Sequence, residues 1–162
     1  MASYRLIIGI LVGITLSFFT VFFFNMMVIL DQIKLLSGTN LTKIASLLIG
    51  ANFEFDMISF FSGSPYILGF FAPEILAWIF ISYITGTIAK GLKRGTIASV
   101  LVVIVVLLIW IILSIISGQD LMALFQGTQL TETLGGIISA IVGVLLGGSV
   151  GGLVSGPYEE FY

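Results

Sequence analysis

The fold is decided by residues 134–155, which read LGGIISAIVGVLLGGSVGGLVS. Small residues recur at every fourth position of this run, and a second row lies beside the first. The first row is Gly135, Ser139, Gly143, Gly147, Gly151 and Ser155, and the second is Gly148, Gly152 and Gly156. Residues four apart share one ridge of a helix. The spacing therefore predicts a helix whose bare ridges let another helix backbone approach closely.

So many glycines in one helix need a compensating contact, since each costs about 1 kcal/mol relative to alanine in an aqueous helix. In lipid, close packing of small residues replaces apolar burial as the force that joins helices. A shorter row, Gly9, Gly13 and Ser17, lies near the N-terminus. The spacing resembles the glycine zippers of oligomeric membrane proteins, some of which are channels. The resemblance implies packing within the chain, contact with a neighbouring subunit or a pore lining, and the sequence leaves these alternatives open.

The rest of the chain is also strongly apolar. Of its 162 residues, 59% are hydrophobic and 9% are charged, and the mean hydropathy is +1.23. A soluble domain has about 25% charged residues, so most of this chain must be surrounded by lipid. The sequence contains no Cys and no His, which excludes thiolate and imidazole chemistry. No cofactor and no metal site are predicted, and the net charge of −2 argues against a nucleic-acid partner.

Four apolar stretches are long enough to be transmembrane helices, which need about 20 residues each. They cover residues 6–30, 66–89, 97–117 and 134–155. Helices are the default in lipid because each one satisfies its own backbone hydrogen bonds. The sequence therefore predicts an all-α integral membrane protein with a single four-helix domain, residues 1–162.

Basic residues predict the orientation of these spans. Lys90, Lys93 and Arg94 lie in the short link between the second and third spans, and Arg5 precedes the first. Cytoplasmic loops carry an excess of Lys and Arg, so both places are predicted to be cytoplasmic. We expect a multi-pass protein of the cell membrane with both termini in the cytoplasm.

The predicted outer loop, residues 31–65, is not a polar linker. Residues 41–50 have apolar side chains on one side, which predicts a short amphipathic helix, and phenylalanines alternate with acids in the residues that follow. The loop either re-enters at the membrane interface before the second span or docks another subunit. Asn40 begins an Asn-Leu-Thr sequon on the predicted outer side, which makes it a candidate for N-glycosylation.

Glu74 is the one acid that falls within a predicted span. Ionisable groups at membrane depth are functional candidates by default. If the helix starts at Tyr66, Glu74 lies about two turns inside it, beside a kink at Pro73. If the helix starts at Pro73, Glu74 occupies the first turn, where the helix dipole favours an acid. In that second case Glu74 needs no function.

These features predict a protein without catalytic chemistry, because no base, nucleophile or cluster of acids occurs within the spans. We expect a small accessory or scaffolding subunit of a larger membrane assembly, joined by glycine-mediated helix packing. Its partners would be membrane lipids and other membrane subunits. The alternative is a homo-oligomeric small channel or transporter that uses Glu74 as its polar site.

Overall fold

The computed structural model describes residues 4–36, 40–63, 65–118 and 126–157, apart from the side chain of Leu68. Within these ranges the protein is built from helices and contains no strand, so the predicted all-helical class is confirmed. The predictions for residues 37–39 and 64 of the outer loop, and for the two chain termini, lie outside them. The helices are α1 (Tyr4–Ser17), α2 (Thr20–Phe24), α3 (Met26–Leu35), α4 (Leu41–Gly50), a 3₁₀ turn (Ala51–Phe53), α5 (Met57–Ser62), α6 (Ile67–Phe70), α7 (Pro73–Ala89), α8 (Leu92–Ile116) and α9 (Gly127–Val154).

Three helical stretches are long and apolar enough to cross a membrane: Leu41–Ser62, Leu92–Ile116 and Gly127–Val154. Helices α1 and α7 are apolar but shorter. This set of helices fits a multi-pass membrane protein. Helices α8 and α9 begin several residues before the predicted third and fourth spans, because polar and charged residues that end a hydrophobic run are still tolerated in a helix.

Four helices, α1, α7, α8 and α9, form the body of the protein and pack against one another as a bundle. The centre of this bundle is apolar. Its fully buried side chains include Trp78 and Ile81 of α7, Val102 and Val106 of α8, and Val144 of α9. The opposite side of α8 exposes large aliphatic side chains, as expected for a helix that faces lipid.

A tight turn joins α7 to α8 at the end of the bundle that carries the basic residues. Lys90 and Gly91 form this turn, with φ values of 54° and 82°. Positive φ is open to glycine but uncommon for other residues. Lys93 and Arg94 follow within the first turn of α8. We call this end of the bundle the basic end.

Both ends of the described chain approach the basic end. A Cβ added to Gly9 of α1 would lie 3.6 Å from the backbone nitrogen of Ala89, the last residue of α7. In α9, the carbonyl of Gly152 accepts a hydrogen bond from the N–H of Gly91 at 3.2 Å. Helices α1 and α8 therefore run away from the basic end, and α7 and α9 run towards it.

The predicted first span, residues 6–30, is not a single helix, because breaks on either side of α2 divide it into α1, α2 and α3. At the first break, the N–H of Phe19 bonds to the carbonyl of Leu16 at 3.0 Å, which is the shorter spacing of a tightened helix end. The hydroxyls of Ser17 and Thr20 also bond back to carbonyls of the preceding turn. Such side-chain bonds compete with the helix ladder and favour a bend.

The sequence predicts an amphipathic helix over residues 41–50, and α4 covers the same residues. This helix packs against the last turns of α8. The hydroxyls of Ser46 and Ser114 are 3.1 Å apart, and Gly50 lies against the indole of Trp110. Residue numbers rise along α4 while they fall along α8, so the two helices are antiparallel. Helix α4 therefore enters the bundle from the end opposite the basic end.

After α4 the chain turns back without crossing the bundle. Regular helix stops at residues 54–56, and α5 follows. The ring of Phe60 on α5 contacts that of Phe70, with centroids 6.4 Å apart, and Phe70 comes just before the start of α7. Both ends of Leu41–Ser62 thus lie at the end where α7 begins. We call this stretch the re-entrant segment.

Candidate functional site

The first row of small residues on α9 faces α7. A Cβ added to Gly147 would overlap the carbonyl oxygen of Ile79, and one added to Gly151 would overlap that of Tyr83. Gly143, one turn earlier, is buried on the same face. These overlaps involve backbone atoms, which cannot move aside as a side chain can. Helices α7 and α9 therefore approach each other at a distance that requires glycine.

The second row of α9 faces the start of α8 and the turn before it. A Cβ on Gly152 would lie 2.6 Å from the carbonyl oxygen of Gly91. In α7, a Cβ added to Gly86 would lie 2.6 Å from the carbonyl oxygen of Gly148. In α8, a Cβ added to Gly95 would lie 2.8 Å from the same oxygen. Three helices thus meet at this point, and each contributes a glycine. We call it the glycine junction.

Gly86 and Gly95 were not among the packing residues predicted from the sequence. The signal for Gly95 is present, because Gly91, Gly95 and Ser99 repeat the four-residue spacing at the start of α8. Part of this row precedes the predicted third span and lies among basic residues, so the hydropathy pattern does not include it. For Gly86, the contact becomes visible only when α9 is placed beside α7.

The beginning of α9 packs on the re-entrant segment. A Cβ on Gly135 would overlap the carboxylate of Asp56, and one on Gly136 would overlap the carbonyl oxygen of Phe53. Ser139 is fully buried, and its hydroxyl donates to the carbonyl of Gly136 at 2.7 Å. The small residues of α9 therefore hold the re-entrant segment at one end and α7 and α8 at the other.

The small residues of α1 also lie against other helices of the bundle. A Cβ on Gly9 would lie 3.0 Å from the carbonyl oxygen of Thr85, and one on Gly13 would lie 2.7 Å from Cγ2 of Val102. Apart from Gly156, which follows α9 and has no atom within 4 Å of an added Cβ, the glycines of the two rows and of α1 thus contact other elements of their own chain. These contacts are packing within the chain, which is one of the three alternatives drawn from the sequence.

Asn52, at the tip of the re-entrant segment, joins three elements through hydrogen bonds. Its side-chain amide donates to the carbonyl of Ser17 at 2.8 Å, and to those of Leu48 and Ile49 at 3.2 and 3.1 Å. Its backbone carbonyl accepts from the indole N–H of Trp78 at 2.8 Å. Asn52 is fully buried. We call this arrangement the Asn52 junction, because it ties the end of α1, the end of α4 and the start of α7 together.

The Asn52 junction also accounts for where α1 ends. A carbonyl at a helix end needs a donor from outside the helix, and the amide of Asn52 supplies one to Ser17. Sequence patterns do not reveal this pair because its members are far apart in the chain. The available signal is a lone amide between Ala51 and Phe53 in an apolar stretch, where a buried polar group needs partners.

Helix α7 begins at Pro73, so Glu74 occupies its first turn. This position matches the second of the two alternatives drawn from the sequence. Glu54 directly follows the 3₁₀ turn of the re-entrant segment. Asp56 serves as the N-cap of α5, and its Oδ1 accepts from two backbone N–H groups at 2.9 and 3.1 Å. All three acids lie towards the end opposite the basic end.

Asn40 is the exposed N-cap residue of α4, at the same end of the bundle as the acids. Its position at an exposed helix start is open to modification, and its glycosylation stays a prediction. The described residues include no group of three or more His, Cys, Asp or Glu side chains that could hold a metal ion.

Comparisons with protein-family models, with curated proteins and with solved structures found no match. The function must therefore be inferred from three features of the chain itself. They are the glycine junction, the Asn52 junction and the surfaces that the bundle leaves exposed.

Proposed function

We propose that this chain is a non-catalytic subunit of a larger membrane assembly, in which it serves as a compact helical scaffold. The observation that carries the proposal is that every glycine of the two rows that lies within α9 is covered by other parts of the same chain. The centre of the bundle is filled by apolar side chains such as Trp78, Val102 and Val144. Such a core supports a structural role over conduction through a single chain.

A partner would then bind outside the glycine rows, and α2 and α3 offer a surface for it. Phe23 and Met27 are each 76% exposed, and Phe19, just before α2, is 55% exposed. We call these three residues the Phe/Met face. Aromatic residues and methionine are enriched at protein interfaces, and methionine adapts to irregular surfaces. We propose that a membrane protein of different sequence binds to this face.

Removal of the Phe/Met face should release the partner. The Phe23→Ala and Met27→Ala double variant is expected to lose the unlike membrane proteins that co-purify with the wild-type chain in mild detergent. The matched control is Ile104→Ala with Leu108→Ala, because these α8 side chains are also about half exposed and apolar, at 48% and 53%. The control should keep its partners. Equal recovery of partners with both double variants would contradict the placement.

We further propose that the chain crosses the cell membrane four times, through the α1–α3 region, α7, α8 and α9. The basic end, with Lys90, Lys93 and Arg94 and with Arg5 nearby in α1, would face the cytoplasm. The termini would then be cytoplasmic, and the re-entrant segment would dip into the membrane from outside. Backbone that is not α-helical is tolerated at membrane depth where protein surrounds it. Protein surrounds the segment in this way at Asn52, which is fully buried.

Cysteine labelling can test this topology cleanly, because the sequence contains no Cys. Single variants Asn40→Cys and Ser62→Cys should react with a membrane-impermeant maleimide on intact cells. The Tyr4→Cys and Lys90→Cys variants should react only after the membrane is opened. If Asn40→Cys and Ser62→Cys reacted from opposite sides, Leu41–Ser62 would cross the membrane and the proposed topology would be wrong.

A second candidate function is a homo-oligomeric channel or transporter with Glu74 as its polar site. The observation that favours it is the combination of a predicted first span that is broken into α1, α2 and α3, a re-entrant segment, and the acids Glu54 and Glu74 at the end opposite the basic end. Interrupted helices mark the binding sites of many transporters. This candidate requires the purified chain alone to conduct ions in liposomes, with a flux that Glu74→Gln changes.

A further inference from the structure

A polar cavity of about 340 Å³ lies between the re-entrant segment, α3, α8 and the start of α9. It opens at the end of the bundle opposite the basic end, where Gln129 and Glu132 on the first turns of α9 are exposed. Its volume is at the small end of the range for ligand sites, which is about 300–1,000 Å³. A compact ligand, or one chemical group of a larger ligand, would fit inside.

The polar groups of this cavity are mostly acceptors of hydrogen bonds. Glu54 and Glu132 contribute carboxylates, and no Lys or Arg is among the described residues that line it. The amide of Gln129 donates to Oε2 of Glu132 at 3.1 Å, which fixes one carboxylate oxygen and leaves the other. A ligand here should therefore be a cation that carries hydrogen-bond donors.

An aromatic wall completes the cavity. Trp110 and Phe53 both line it and stack on each other, with ring centroids 5.4 Å apart and planes at 20°. Aromatic faces attract cations, and Trp does so most strongly. The stack also holds the wall in place, because Phe53 belongs to the tip of the re-entrant segment and is itself buried. The cavity thus combines negative charge with an aromatic surface.

We propose that this cavity binds a primary alkylammonium group. The N–H donors of its positive nitrogen can bond to the carboxylates of Glu54 and Glu132, and its alkyl carbons can contact the aromatic wall. A quaternary ammonium has the same charge but cannot donate a hydrogen bond to either carboxylate. The group can come from a free amine or from the head group of an aminophospholipid. The inference does not depend on the role of the chain in an assembly.

Tryptophan fluorescence can detect this binding, because Trp110 lies in the wall of the cavity and Trp78 is fully buried elsewhere. The protein would be placed in nanodiscs made only of phosphatidylcholine and titrated with ethanolamine. In separate nanodiscs, part of the lipid would be phosphatidylethanolamine. Choline serves as the probe without N–H donors. We expect ethanolamine or phosphatidylethanolamine to change the emission, and choline to have a much weaker effect.

Substitutions of cavity residues test whether the change in tryptophan fluorescence arises from binding in the cavity. Glu132→Gln should weaken ethanolamine binding by about tenfold, since it removes a charge-assisted hydrogen bond. Glu54→Gln tests the second carboxylate and should weaken ethanolamine binding more than choline binding. Asp31→Asn is the matched control, because Asp31 is exposed and pairs with Lys34 outside the cavity. Each variant is first checked for wild-type helix content and melting temperature.

The two kinds of nanodisc distinguish a free amine from a lipid head group as the source of the bound ammonium group. A response to ethanolamine in phosphatidylcholine nanodiscs supports a free amine, and a response only to phosphatidylethanolamine supports a lipid head group. No response in either membrane would overturn the proposal. It would also be overturned if choline bound as tightly as ethanolamine, or if Asp31→Asn weakened binding as much as Glu132→Gln.

Discussion

Asn52→Asp is expected to lower the free energy of unfolding by about 3 kcal/mol, because it replaces the donor of the Asn52 junction by a buried carboxylate. The carbonyl of Ser17, which accepts from the Asn52 amide at 2.8 Å, would lose its partner and face a second acceptor. For a protein of this length the melting temperature should fall by about 6–12 °C, since each kcal/mol corresponds to about 2–4 °C. Circular dichroism of the detergent-solubilised protein measures this change.

Asn25→Asp is the matched control for this substitution. Asn25 lies between α2 and α3, is partly exposed, and is not held by the re-entrant segment. Its variant should unfold within a few degrees of the wild-type protein. A second readout is local: Trp78 bonds to the backbone of Asn52, so its emission should shift to longer wavelength in Asn52→Asp. Equal melting temperatures for the two variants would show that the Asn52 junction is not a stabilising centre.

Gly147→Leu is the second substitution with a large expected effect. A Cβ at this position already overlaps the carbonyl oxygen of Ile79, so the larger side chain must push α7 and α9 apart. Overpacking typically costs about 1–3 kcal/mol, and we expect the upper part of this range because backbone is displaced. The melting temperature should fall, and the yield of folded protein from membranes should drop with it.

The control for this change is Ser149→Leu, on the same helix two residues away. Ser149 is only partly buried, and its hydroxyl bonds back to its own helix at Leu145 and Leu146. Leucine there adds the same bulk towards lipid and should be tolerated. If Gly147→Leu melted at the same temperature as Ser149→Leu, the close approach of α7 and α9 would not be needed for stability.

The sequence predicts the long helices well, because apolar runs and small-residue spacing are local signals. Residues 41–50 form the expected helix, and Pro73 begins α7 as one of the two alternatives proposed. The rows on α9 are also local, since their four-residue spacing is set by the geometry of a single helix. For these features, the information lies within one element.

The breaks around α2 and the path of the re-entrant segment could not be predicted in the same way. Hydropathy treats residues 6–30 as one run, whereas the bend depends on Ser17 finding a donor in Asn52, which lies 35 residues away along the chain. The contact of Gly86 with the carbonyl of Gly148 likewise exists only between helices. Such features arise from pairs of distant residues, and a single sequence carries no record of the pairing.

In the proposed scaffold, two surfaces of the molecule have different roles. Glycine rows hold the chain together internally, and the Phe/Met face, with 76% of Phe23 and of Met27 exposed, is left for a partner. In a zipper that assembles identical subunits, the glycines themselves would be shared between copies. The two arrangements predict assemblies of different composition.

The mass of the assembly extracted from its native membrane tests the proposed function most directly. Native mass spectrometry should find one copy of the 17.5 kDa chain bound to membrane proteins of other masses. An assembly whose mass is a whole-number multiple of 17.5 kDa, with no unlike chain in it, would contradict the account and favour the homo-oligomeric channel or transporter.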